Sequence, residues 1–190
     1  MMRRIGINIV VLFAVAVLFG CADDSGTDHG DTDVEAEEDG YRRDNSDSEA
    51  PKTIDSTEMI AFSCYFSALA FEEEDTELKY DSYHLSAILK DGVVSGSYLA
   101  STRYGEKTEA SFEVDPSFME DLQIIVSEYD FAENNGHYVR VKGLPDHYGA
   151  DLTVQYASGE SISAYDNQDG FLSIDAMEDL EELFFGQTCG

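Results

Sequence analysis

Three observations predict an α+β fold for residues 53–190. Short alternating or apolar segments are joined by hairpin turns, two segments of helical period carry capping residues, and the elements run in the order ββββαββα. Hairpin-linked strands with helices interspersed give an antiparallel sheet of about six strands, with both helices packed on one face.

The first strand is read in Met59 to Phe71, an uncharged run rich in aromatic and small residues. Glu72 to Glu77 is a polar loop. Tyr80 to Leu89 alternates well enough for a second strand, and Asp91-Gly92 is a strong hairpin turn. Val93 to Thr102 is the third strand. A turn at Tyr104-Gly105 leads to the fourth, Thr108 to Val114.

Asp115-Pro116 opens a helix, since Asp is a favoured cap and Pro fits the first helical position. Phe118, Leu122, Ile125, Val126 and Tyr129 recur at helical spacing and form its buried stripe. Asn134-Asn135-Gly136 breaks the chain. Leu152 to Tyr156 and Ile162 to Tyr165 form a hairpin about Ser158-Gly159-Glu160, with Leu152, Val154 and Tyr156 on one face. Ser173 caps the last helix, whose inner face carries Ile174, Met177, Leu180, Leu183 and Phe184. Gly186 ends it.

Charge narrows the function classes. The chain holds 40 acids against 11 bases, a net charge of −29. Nucleic-acid binding needs clustered Lys and Arg, so it is not expected. Docking on an anionic lipid surface is disfavoured for the same reason. Acids are densest in residues 22–50, where twelve face only Arg42 and Arg43. That stretch is too poor in apolar residues to offset the entropy of ordering. Residues 21–52 therefore read as a disordered acidic tether.

The N-terminus has a different chemistry. Arg3 and Arg4 precede an apolar run from Ile5 to Phe19, closed by Gly20-Cys21. A basic start, a short apolar core and a small residue before a cleavage point make residues 1–20 a secretory signal peptide. The run is shorter than the ~20 residues of a comfortable membrane span, which is the competing reading. Leu18-Phe19-Gly20-Cys21 resembles the lipobox of bacterial lipoproteins. The resemblance implies lipidation at Cys21, cleavage before it, and an extracytoplasmic domain anchored to the cell membrane through that lipid. Residues 116–185 also resemble small lipoproteins of Gram-positive bacteria with no settled activity. That likeness bears on fold and location and transfers no catalytic residue.

If Cys21 carries lipid, Cys64 and Cys189 remain. Outside the cytoplasm an even remainder reads as one disulfide. It would close a loop of about 125 residues, stabilising by up to about 5 kcal/mol on chain-entropy grounds. Two unpaired thiols are the alternative.

Catalytic and metal signatures are weak. The segment from Asp166 to Asp175 resembles a calcium loop. Placing Gly170 at the glycine position, however, puts Tyr165 and Ala176 where oxygen ligands are needed. A plain turn fits better, with Asp166, Asp169 and Asp175 as the weak metal candidates. His137-Tyr138 and His147-Tyr148, with Asp146 beside the second pair, match no zinc spacing. They lie in loops and are the candidate partner contacts. No Gly-x-Ser-x-Gly elbow, Ser-x-x-Lys or Cys-His signature is present, and the chain has no Trp for sugar stacking. No cofactor is expected. The reading is a non-catalytic surface domain that binds another protein or an extracellular ligand. A cation- or small-ligand-binding lipoprotein is the alternative, and a hydrolase the third.

Overall fold

The computed structural model describes residues 39–71, 76–144 and 148–189, the side chain of Cys189 excepted. The fold is α+β, with one mixed sheet and two helices. In chain order the elements are β1 (Arg42–Asp44), β2 (Met59–Ser67), β3 (Ser82–Lys90), β4 (Val93–Ser101), β5 (Lys107–Val114), α1 (Ser117–Glu128), β6 (Tyr138–Val141), β7 (Ala150–Tyr156), β8 (Ser161–Asp166) and α2 (Ile174–Gly186). The sheet order is β1-β6-β8-β7-β2-β3-β4-β5.

The expected α+β class and its six strands are present, but the sheet is larger and not purely antiparallel. Two strands go beyond the expected six. β6 pairs in parallel with β8, Tyr138 opposite Tyr165 and Val139 opposite Asp166. β6 falls where the sequence suggests only loops, because four residues are too short to show a period. The Asn167 side chain extends this pairing as a backbone group would. Its Oδ1 accepts from Val141 N at 2.8 Å, and its Nδ2 donates to Val141 O at 3.0 Å. β1 is wholly exposed and polar. It forms through backbone pairing with β6, Arg43 opposite Arg140, and so leaves no hydrophobic signal.

β1 and the segment that follows it pair with the sheet ahead of Thr53. Gly40 N donates to Lys142 O, and Asp47 N donates to Gly136 O. Buried Asn135 then holds the chain by donating from Nδ2 to Pro51 O at 2.9 Å while its Oδ1 accepts from Ser163 N. Farther on, Glu160 accepts from the amides of Asp55 and Ser56. The acidic stretch therefore ends in a strap fastened along β6 and β8.

The hairpins follow their turn chemistry. Asp91 (φ 52°) and Gly92 (φ 79°) both adopt the left-handed region that a tight two-residue hairpin needs. At the start of α1, Asp115 Oδ1 accepts from Ser117 N at 2.9 Å. Ser173 Oγ accepts from Ala176 N at 3.2 Å and caps α2 as expected.

Both helices bury their stripes against one face of the sheet. Phe118, Met119, Leu122 and Val126 come from α1; Ala176, Met177, Leu180 and Phe184 come from α2. The sheet contributes alternate residues, including Phe62, Cys64 and Phe66 on β2 and Leu152, Val154 and Tyr156 on β7. Phe184 sits at the centre, with ring centroids 5.1 Å from Phe118 and 6.0 Å from both Phe62 and Phe112. Gly96 makes room for Phe112: a Cβ there would fall 2.2 Å from the ring. Tyr83 is fully buried, and its hydroxyl oxygen accepts from the amides of Lys79 and Tyr80. Burial pushes its pKa up to about 12.

Candidate functional site

Side chains alternate across a strand, so burying one set of β2–β8 residues presents the other set on the opposite face. Among the described residues no helix packs there, and Ser63, His84, Ser95, Ser111, Gln155 and Ser163 are exposed. The strand register organises this face into rows. Ser111 lies opposite Ser97, Ser97 opposite Ser86, and Ser86 opposite Ser63. Ser63 lies opposite Thr153, and Thr153 opposite Ser163. One row of six hydroxyl residues thus crosses β5-β4-β3-β2-β7-β8 at right angles to the strands. Ser86 Oγ and Ser97 Oγ are bonded to each other at 2.7 Å.

A second row runs beside the first: Leu99, His84, Tyr65, Asp151, Tyr165 and Tyr138. It is rich in rings. Tyr65 and His84 are 4.5 Å apart by ring centroid, and Tyr138 stacks on Tyr165 at 5.0 Å. Desolvation lowers the pKa of His84, which favours a neutral imidazole able to donate and accept. Between and around these rows lies an open trough of about 580 Å³, lined by Ser63, Tyr65, His84, Ser86, Ser97 and Tyr165 among others. Chemically the face offers hydroxyls that donate and accept, aromatic surface, and the carboxylates of Glu109, Glu113 and Asp151. Bases gather at its margin instead, where Arg42 and Arg43 on β1 adjoin Arg140 on β6 and Lys142 just after it.

The expected contact residues are split. Tyr138 joins the ring row and is 41% exposed. His137 turns to the other side, with Nε2 3.2 Å from Asp166 Oδ2 and its ring edge-on to Phe171. Tyr148 is exposed but lies outside both rows. His147 and Asp146 lie outside the described residues. The metal candidates are not gathered. Asp166 is buried, and its Oδ1 accepts from Gln168 N and Asp169 N at 2.9 Å each, so it shapes a turn. Asp175 stands in the first turn of α2. Among the described residues no three His, Cys, Asp or Glu side chains form a group able to hold a metal ion. Cys64 is buried and is bridged to no other cysteine among the described residues, and burial pushes its thiol's ionisation far up. The side chain of Cys189 lies outside the described residues, as does the expected Cys64–Cys189 bridge. Cys21 lies outside them too. Among the described residues no helix is long and apolar enough to cross a membrane.

The hydroxyl row escapes a sequence reading because it exists only in the register of six strands. Its one-dimensional trace is the recurrence of Ser two or four residues apart within a strand, as in Ser82 and Ser86 on β3 and Ser95, Ser97 and Ser101 on β4, of which Ser86 and Ser97 fall in the row. No family model matches the chain, and neither a curated protein nor a solved structure matches it.

Proposed function

We propose that this protein is a membrane-anchored extracytoplasmic lipoprotein whose folded domain is a non-catalytic binding module, and that the bare face of the sheet is its binding surface. The observation that carries the reading is the pairing of an unbroken hydroxyl row with a ring-rich row on the face the helices leave open. Ser and Tyr together are the chemistry of adaptable recognition. Tyr gives rigid amphipathic area at small entropic cost, and Ser gives hydrogen bonds that adjust to the partner. The resemblance of Leu18-Phe19-Gly20-Cys21 to a lipobox supports the location, and the acidic stretch after it supports a domain held away from the membrane.

The test is placement-specific cross-linking on whole cells. A photoreactive residue at Ser63 should capture a ligand, whereas one at Glu120, on α1, should capture none. Equal capture from both positions, or none from either, overturns the choice of face. Separately, Cys21→Ala should abolish incorporation of labelled fatty acid. Continued incorporation removes the lipoprotein reading.

A further inference from the structure

The rows of the bare face have a repeat, and the repeat selects a ligand. Neighbouring strands lie about 4.8 Å apart. The row Ser111, Ser97, Ser86, Ser63, Thr153, Ser163 therefore presents one hydroxyl every ~4.8 Å over about 24 Å, in a line perpendicular to the strands. A partner that exploits this line must itself repeat at nearly that interval. The face of another sheet repeats at this interval too, but sheets pack face to face through interdigitating apolar side chains, which a row of hydroxyls does not supply. A peptide strand pairs along a sheet edge rather than across its face. An extended β-linked pyranose chain advances per ring by close to the inter-strand step, and each ring carries hydroxyls that donate and accept as Ser does. The parallel row supplies the second element of sugar recognition. The rings of Tyr65, His84, Tyr165 and Tyr138 offer aromatic surface to the C–H faces of the pyranose. Chain-wide absence of Trp weighs against a single strong stacking platform. It fits many weak contacts summed along a polymer. Charge sets the class. Glu109 and Asp151 lie in line with the ring row, Glu113 lies opposite Ser95 on the other side of the hydroxyl row, and the base on β5, Lys107, pairs with Glu109 at 3.0 Å. The bases at the β1–β6 margin stand outside the hydroxyl row, and the chain carries a net charge of −29, so polyuronates and phosphate polymers would be repelled from the row itself.

We propose that the bare face binds a neutral, linear, β-linked polysaccharide laid across the strands along the hydroxyl row; this rests on the assignment of that face as the binding surface. Titration of the full-length chain with cello- and chito-oligosaccharides, from disaccharide to octasaccharide, is the direct experiment. Affinity should climb with each added ring until the oligosaccharide is as long as the row, then level off. Polygalacturonate should not bind. Replacing two central hydroxyls (Ser63→Val with Ser86→Val) should weaken the longest ligand by about tenfold or more, the equivalent of one or two lost hydrogen bonds. The unfolding midpoint should not move, because Val suits a strand. Failure of every neutral oligosaccharide at millimolar concentration overturns the proposal, as does equal binding by the double variant or by polygalacturonate. The two readings fail differently. If Ser63 captures a protein on cells and no oligosaccharide binds, the ligand class falls and the face stands. If Ser63 captures nothing and no oligosaccharide binds, both fall.

Discussion

The two faces of this sheet are built from the same strands and differ in almost every other respect. On β2, Phe62, Cys64 and Phe66 point into the helices, while Ser63 and Tyr65 point away. On β4, Val94, Tyr98 and Ala100 are buried, while Ser95, Ser97 and Leu99 form the other side. The covered face is aromatic, irregular and interlocked, as expected of a close-packed interior. The bare face is open, and its hydroxyls and rings are ordered in rows. Stability should therefore depend on the first face and tolerate change on the second, with binding the reverse. This separation lets a stability defect be told from a recognition defect by position alone.

The sharpest test of the contrast is Phe184→Ala. Phe184 is fully buried and touches rings from β2, β5 and α1. Its removal should cost about 3–5 kcal/mol, transfer and cavity together, read from the urea midpoint. Ser95→Ala, one strand-pleat away from the core, should stay within about 0.5 kcal/mol. A cost at Ser95 comparable to that at Phe184 would mean that the outer face is covered after all. Tyr98→Phe should have an intermediate effect. The Tyr98 ring is buried, and its hydroxyl donates to Glu181 Oε1 at 3.0 Å. Because the partner carboxylate is part exposed, the loss should be about 1 kcal/mol. It would appear as a drop in Tm with unchanged ligand capture. A change in capture would mean that the acidic end near α2 takes part in binding.

What could be read from the sequence, and what could not, divides along the same line. Burial leaves a period, so the stripes of both helices, the β3–β4 hairpin about Asp91-Gly92 and the run Leu152, Val154, Tyr156 are all visible in one dimension. β1 and β6 leave none. One is a polar strand held only by backbone bonds, the other a four-residue strand continued by the side chain of Asn167. Gly149 shows why local pattern is not enough. A Cβ there would fall 1.6 Å from Asp166 O, a constraint set by a residue seventeen positions away. The candidate site is harder still. Of the residues expected to make contact, Tyr138 lies on the proposed surface and His137 faces the turn at Asp166. The hydroxyl row depends on five strand registers at once, each fixed by the aromatic packing on the opposite side.

The smallest predicted effect concerns the strap, which belongs to neither face. Glu160 Oε1 accepts from Asp55 N at 3.0 Å, and Oε2 accepts from Ser56 N at 3.1 Å and Ser158 Oγ at 2.9 Å. The bond from Asp55 N, with those from Ser158 and Ser56, holds the carboxyl below its ordinary value of 4.5. A folded-state pKa below the unfolded one means that the unfolded chain binds its proton first as pH falls. The stabilisation is therefore complete above the ordinary carboxylate range and is lost as pH drops through the lowered folded value. Glu160→Gln keeps one acceptor but removes the charge. It should slightly lower stability at neutral pH and flatten the decline between that range and the lowered value, with hydrogen exchange quickening at Asp55 and Ser56 while the β3–β4 amides stay unchanged. An acid decline as steep in Glu160→Gln as in the parent chain would place the pH dependence elsewhere. It would also show that the strap is held by Asn135 and the β1–β6 pairing alone.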